Sequence, residues 1–286
     1  MRLVSYQSAN GVRVAAVRPG NQYVDLNEAD STLPSTMCKL LALGADGLKR
    51  AAAAANSGKS FSAAGVKLLA PVPRPEKILC IGLNYSDHAR ETGKEPPPEP
   101  VVFSKFVTAV RAHNDPIVLP KVSNKVDYEA ELVAVIGTGG RHIAKDKALD
   151  HVAGYCCGHD VSARDWQQQK PGGQWLLGKS FDSFAPFGPE LVTADEVGNA
   201  GDLSIQLRLN GETMQNSRTS QLIFDVAHLV SYISQVVTLS PGDLIFTGTP
   251  PGVGAARKPP VFLKPGDVAE VEIERIGTLR NPVVAE

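Results

Sequence analysis

Over the first thirty positions apolar and polar residues alternate in short runs, Leu3-Val-Ser-Tyr, Val12-Arg-Val-Ala-Ala-Val and Tyr23-Val-Asp-Leu, separated by Asn10-Gly11 and Pro19-Gly20-Asn21. Period-two runs broken by turn residues predict hairpins, so a small β unit comes first. From Leu33 to about Asn56 the sequence predicts helix, because the Ala51 to Ala55 run has high helix propensity and Ser57-Gly58 makes a stop. Three prolines in Pro71-Val-Pro-Arg-Pro can continue neither a helix nor a central strand. They set a boundary near residue 70, between a small N-terminal domain (1–70) and a main domain (71–286).

The main domain is strand-rich: Ile78-Leu-Cys-Ile-Gly, Val101-Val-Phe-Ser-Lys, residues 130–136, His151-Val-Ala-Gly-Tyr-Cys-Cys-Gly, Leu203 to Leu209, Leu244-Ile-Phe-Thr and Val268 to Glu274. The clearest helix runs from about Gln221 to Gln235, with Leu222, Ile223, Val226, Leu229, Val230 and Ile233 at helical spacing and Thr219 or Ser220 as N-cap. Leu239-Ser-Pro-Gly-Asp and Leu263-Lys-Pro-Gly-Asp read as Pro-Gly turns ahead of strands. The tract Pro96-Pro-Pro-Glu-Pro is extended and exposed.

A length of 286 residues with 43% apolar content supports a substantial core. The 29 basic and 30 acidic residues form no basic cluster, which argues against nucleic acid or anionic membrane as a partner. No apolar stretch approaches the roughly 18 residues of a membrane span, and Met1-Arg-Leu-Val-Ser-Tyr-Gln lacks a signal-peptide core, so a cytoplasmic protein is expected. The four cysteines, Cys38, Cys80, Cys156 and Cys157, make no disulfide framework and read as reduced thiols.

Against this background Tyr128-Glu-Ala-Glu-Leu stands out. In a strand, Glu129 and Glu131 point to one face, and the following Val-Ala-Val-Ile places that strand in the core. Two buried like charges repel and each loses hydration, unless protonated or neutralised by a cation. Asp160 follows a second apolar segment and adds a third acid at a strand end. Three carboxylates without a thiolate or a His pair suit Mg²⁺, Mn²⁺ or Ca²⁺. The competing reading is salt bridges on an edge strand, with Asp160 capping a helix from Val161.

Other candidates flank these acids. His88 and Glu91, three apart in a turn after Ile81-Gly-Leu-Asn-Tyr, share a helical face, where the carboxylate would hold the imidazole as an oriented base. Gly93 and the proline tract after them suggest a lid over about residues 86–100. Lys179, after Trp175-Leu-Leu-Gly, would carry an ammonium able to stabilise an oxyanion or simply to form a salt bridge. Phe246-Thr-Gly-Thr-Pro-Pro-Gly-Val-Gly fits neither a Walker loop nor a dinucleotide fingerprint, but offers backbone amides and the hydroxyls of Thr247 and Thr249.

Asn84-Tyr-Ser-Asp-His, Asp127-Tyr-Glu-Ala-Glu-Leu, His159-Asp-Val-Ser-Ala-Arg-Asp, Gly178-Lys-Ser-Phe-Asp and Thr247-Gly-Thr-Pro-Pro-Gly-Val-Gly occur in this order. From about residue 77 onward the chain thereby resembles the fumarylacetoacetate hydrolase family. It is most similar to the domain-containing protein 2 group and bacterial relatives, through Gln174-Trp-Leu-Leu-Gly-Lys and Arg257 to Asp267. The resemblance implies an α+β, β-rich fold, a mixed β-sandwich or β-roll catalytic domain beside the small N-terminal one, and a homodimer. It implies Mg²⁺ or Mn²⁺ on Glu129, Glu131 and Asp160, a water-activating dyad of His88 and Glu91 on a lid, Lys179 at the substrate oxyanion, and Arg164, Gln167 and Thr249 lining the pocket. Members act on 2-oxo acids. The reading placed first is hydrolysis of a carbon–carbon bond in an acylpyruvate through a stabilised pyruvate enolate; the alternative is an oxaloacetate tautomerase or decarboxylase, or a 2-hydroxy-dienoate isomerase, on the same site.

Overall fold

The acidic segment lies at the middle of a large sheet. In the computed structural model, which describes residues 1–93 and 95–286, Ala130–Ile136 is a strand whose seven residues are all buried. Its unbroken apolar run is what a strand covered on both faces requires. It pairs antiparallel with Val152–His159 on one side and Leu244–Phe246 on the other. Beyond Leu244–Phe246 come Ile78–Gly82 and the edge strand Val101–Ser104; beyond Val152–His159 come Ala185–Thr193, Arg2–Ser8, Gly11–Arg18, Gln22–Asp25 and Ser60–Ser62. The sheet is thus continuous across residue 70, joined where Arg2–Ser8 pairs with Ala185–Thr193.

A second sheet, ordered Glu212–Arg218, Ser204–Leu209, Val268–Ile273, Gly277–Ala285 and Ile117–Leu119, packs on the central strands. Its inward residues alternate, with Ile205, Leu207 and Leu209 buried on one strand and Ala269, Val271 and Ile273 on the next. This gives the sandwich and the β-rich α+β class expected. All four cysteines are free thiols. No helix among the described residues is long and apolar enough to cross a membrane.

Two helices depart from expectation. The Leu33 to Asn56 segment is split into Met37–Leu41 and Gly44–Ser57, because Gly44 adopts φ +64°, a left-handed conformation that interrupts the helical ladder. The helix expected from Gln221 begins at Val226, with Asp225 as N-cap in place of Thr219 or Ser220. The preceding residues are held elsewhere: the Ile223 amide donates to the Asn84 carbonyl at 2.8 Å, and the Phe224 amide to Asn84 Oδ1 at 2.8 Å.

A buried carboxylate also anchors the N-terminal hairpins. Asp25 accepts from the Tyr6 hydroxyl at 2.6 Å, Arg13 Nε at 2.7 Å, Arg13 Nη2 at 2.6 Å and the Glu28 amide at 2.8 Å. Burial alone would raise this carboxyl, but the bonds from Arg13, Tyr6 and Glu28 outweigh it and hold the pKa below the ordinary value. A depressed folded pKa stabilises above the unfolded value of about 3.9 and ceases to do so as pH falls through the folded value. Asp25→Asn should therefore cost roughly 1.5–3 kcal/mol at neutral pH. In urea titrations its deficit should shrink as pH is lowered below about 4; a deficit independent of pH would assign the loss to packing.

Candidate active site

Strand register delivers the acids. Ala130 lies opposite His159 and Glu131 opposite Gly158. Asp160, one residue past its strand, therefore meets Glu129, one residue before its own, and the Asp160 amide donates to the Glu129 carbonyl at 2.9 Å. Glu129, Glu131 and Asp160 are 6%, 1% and 0% exposed, and one oxygen from each lies within 4.8 Å of the others. Asp160 caps no helix, since Ser162–Ala163 pairs as strand with Val126–Asp127.

Cations surround two of the three acids. Lys179, at the end of the helix Trp175–Lys179, donates to Glu129 Oε2 and Asp160 Oδ2, both at 2.7 Å. Arg164 donates from Nη2 to Glu129 Oε1 at 2.6 Å, from Nε to Asp127 Oδ2 at 2.8 Å and from Nη1 to Gln167 Oε1 at 3.0 Å. Lys105, fully buried at the end of the Val101–Ser104 strand, stands 2.5 Å from Asp160 Oδ1. Its protons go to the carbonyls of Val161, Lys179 and Phe184 at 3.0, 2.7 and 2.7 Å. Lys105 and Asp127 escaped the sequence reading. Asp127 carries a signal in hindsight, for it extends the period-two series of Glu129 and Glu131 back by one step.

The electrostatics divide the acids. Burial raises the carboxyl of Glu129, but Lys179 and Arg164 outweigh it and bring it to about 2. Glu131 is pushed well above the carboxylate range by burial and by the charges of Asp160 and Glu129. Burial and the neighbouring Lys105 lower His159 to about 3, which keeps its imidazole neutral. Four carboxylates, counting Asp127, thus share three cations, and among the described residues Glu131 is the one without an ion pair.

The donor set fits a hard divalent cation. Asp160 Oδ1 is buried and has no hydrogen-bond partner among the described residues, because the Lys105 protons point elsewhere. A cation among these oxygens would use that orphaned lone pair, keep Glu131 ionised and balance the excess charge.

His88 and Glu91 come together as expected. On the helix Ser86–Thr92, His88 Nδ1 lies 2.9 Å from Glu91 Oε2, and Glu91 Oε1 accepts from the Gly252 amide at 3.0 Å. Within the segment read as a lid, Lys94 lies outside the described residues. The glycine-rich loop departs from expectation. The Thr247 hydroxyl is fully buried and donates to the Leu132 carbonyl at 2.9 Å, so it is not offered to a ligand. The loop amides serve the protein's own acids: Gly248 binds Glu131 Oε2 at 2.8 Å, and Gly254 and Ala255 bind Asp127 at 2.7 and 3.0 Å. Thr249 does line the cavity, with its hydroxyl accepting from Gln215 Nε2 at 2.9 Å.

One cavity of about 230 Å³ gathers His88, Glu129, Glu131, Lys179, Arg164, Gln167 and Thr249. Asp160 and Glu91 stand behind them through the bonds above. The remaining wall includes Ile81, Gly82, Phe103, Trp175 and Val253.

Comparison with known proteins agrees with this geometry. Residues 77–284 match the fumarylacetoacetate hydrolase C-terminal family. The chain is 48% identical over 288 residues to Xenopus laevis oxaloacetate tautomerase fahd2, mitochondrial, covering 99% of this chain and 90% of the relative. Among solved structures it is similar to 2-hydroxyhepta-2,4-diene-1,7-dioate isomerase from Mycobacterium marinum, with TM-score 0.79 and 37% identity over 100% of this chain and 99% of the other. It is also similar to maleylpyruvate hydrolase from Sphingobium sp. SYK-6 in complex with manganese(II) ion and pyruvate, with TM-score 0.82 and 31% identity over 100% and 99%.

Proposed function

The chain belongs to the fumarylacetoacetate hydrolase family, and from that premise we propose that it is an oxaloacetate tautomerase, interconverting the keto and enol forms of that 2-oxo acid. The observation that carries this reading is the convergence of the acid triad, Lys179 and the His88–Glu91 pair on one small cavity. The 48% identity to a tautomerase over nearly the whole chain supports ranking this activity above acylpyruvate hydrolysis.

Mg²⁺ or Mn²⁺ would be held by Glu129, Glu131 and Asp160 and, when bound, supplies Lewis-acid polarisation of a 2-oxo carboxylate. Lys179 uses two of its protons on Glu129 and Asp160. The third is available to the negative charge that develops on the 2-oxo oxygen as the carbon-3 proton leaves. With Nδ1 turned to Glu91, His88 takes and returns that proton at Nε2, and the carboxylate stabilises the imidazolium while it lasts. Arg164 and Gln167 bind and orient the carboxylate end of the substrate, and Thr249 donates from its hydroxyl. Tautomerisation consumes no water.

Acylpyruvate hydrolysis is the second reading, favoured by the same dyad, since a positioned base is also what water activation needs. Deuterium exchange at carbon 3 and enol absorbance of oxaloacetate, followed with a pyruvate assay, separate the two. Wild type should accelerate exchange without releasing pyruvate above the uncatalysed rate, and His88→Ala should lower that rate by roughly 10²–10⁴. Release of pyruvate and a second acid from an acylpyruvate, faster than oxaloacetate tautomerises, would replace the tautomerase reading with the hydrolase one. The homodimer implied by the family resemblance belongs to this proposal and is checked by light scattering.

A further inference from the structure

The cavity is small for a ligand site. Pockets for drug-sized molecules run to about 300–1,000 Å³, whereas this one holds about 230 Å³. Part of the reason is a single indole. Trp175 and Lys179 sit at i and i+4 on one short helix, so their Cβ atoms are about 5–6 Å apart on one face. Both line the cavity, so a substrate whose 2-oxo oxygen meets the Lys179 ammonium shares the cavity with the Trp175 indole.

The indole is wedged in place by two neighbours. Its ring meets Phe103 edge-on, with centroids 5.4 Å apart at 67°, and Phe103 in turn has Lys179 Nζ at 5.1 Å from its centroid. On the other side it presses on the backbone of Gly82, where an added Cβ would fall 2.7 Å from Trp175 Cζ3 and 3.1 Å from Cη2. The φ of Gly82 is not in the left-handed region, so the backbone alone would accept a side chain there. The close approach of the ring is what requires glycine.

We propose that Trp175, seated against Gly82 and Phe103, is the specificity-determining residue that limits this site to 2-oxo acids with a short tail, such as a four-carbon dicarboxylate, and excludes acylpyruvates with bulky acyl groups. The proposal rests on the reading of the cavity as a 2-oxo-acid site.

Oxamate and its N-propyl and N-phenyl derivatives test it, because they keep the 2-oxo carboxylate, vary only the tail and have no carbon 3 to enolise. Binding is measured by calorimetry on the Mg²⁺- or Mn²⁺-loaded protein, and the quantity read is the ratio of N-phenyloxamate to oxamate affinity. In wild type the ratio should lie at least about tenfold in favour of oxamate. Trp175→Ala should shift it by about tenfold or more toward the larger ligand, and Trp175→Phe, which keeps an aromatic wall, should shift it less. Gly82→Ala, which adds a methyl group against the indole, should displace the ring and change the ratio from the opposite side. A wild-type protein that binds both compounds equally, or a ratio within about threefold of wild type in both folded Trp175 variants, overturns the proposal. If no form binds any oxamate, the 2-oxo-acid reading of the cavity falls and the size limit with it. A shifted ratio in a protein that does not tautomerise oxaloacetate leaves the size limit standing and removes only the assigned activity.

Discussion

Glu131→Gln is expected to reduce metal-dependent turnover by roughly a thousandfold or more, the upper range for losing a key electrostatic group, while leaving the metal-free fold intact. Among the described residues Glu131 forms no ion pair, in contrast to Glu129 with Lys179 and Arg164 and Asp160 with Lys179 and Lys105. Its carboxyl, raised well above the carboxylate range, would give up its proton to a divalent ion and so complete the cluster's oxygen ligands. A glutamine keeps the shape and can still accept the Gly248 amide bond that Glu131 accepts at 2.8 Å. Burial and the charges of Asp160 and Glu129 hold Glu131 well above the carboxylate range, so without metal its carboxyl is protonated and a neutral glutamine of the same shape costs the apoprotein little. The melting temperature without metal should therefore stay close to that of wild type. Wild type should gain about 2.7 kcal/mol at a metal concentration one hundredfold above Kd, and the variant should gain nothing. Full wild-type activity in chelator, or metal stabilisation retained by Glu131→Gln, would remove the cluster from consideration as a metal site.

How much of this was readable from the chain depends on where each group finds its partners. Strands buried on both faces must be continuously apolar, so Ala130–Ile136 and Val152–His159 announced themselves, and acids beside such runs stood out as needing compensation. The His88–Glu91 pair was readable because both residues lie on one helical turn. Ala185–Thr193 and Gly277–Ala285 were missed; both carry prolines (Pro186, Pro189 and Pro282), which weaken a strand pattern although their neighbours pair in register. The polar Glu212–Arg218 was missed for want of an apolar face. The start of the helix at Val226 was hidden because Asn84, far away in sequence, takes the amides of residues 223 and 224. The glycine-rich loop misled in an instructive way: its amides do bind carboxylates, but those of Glu131, Glu91 and Asp127 instead of a ligand's. Local pattern shows which groups need partners, and tertiary pairing decides which groups provide them.

Lys105 shows that division most clearly and leads to the largest expected loss of stability. Nothing around it in sequence marks it, yet its ammonium ties its own strand to residues 160–161 and 179–184 by meeting Asp160 and the carbonyls of Val161, Lys179 and Phe184. Burial lowers its pKa, and the carboxylate of Asp160 beside it opposes that shift. Lys105→Met preserves most of the volume and removes both charge and donors. Three buried carbonyls would lose a donor and Asp160 a countercharge, and breaking such a buried pair costs about 3–5 kcal/mol. The loss should appear in urea unfolding of the metal-free protein. Divalent metal should recover more stability in Lys105→Met than in wild type, because the ion would then neutralise an acid that has lost one of its two lysines. That differential is the decisive readout, since a purely packing role for Lys105 would lower stability equally with and without metal. Equal losses in both states would make Lys105 a structural cross-link alone. A smaller loss in the metal-loaded state would make it a positioning residue, holding the Asp160 carboxylate in place beside Glu129 and Glu131.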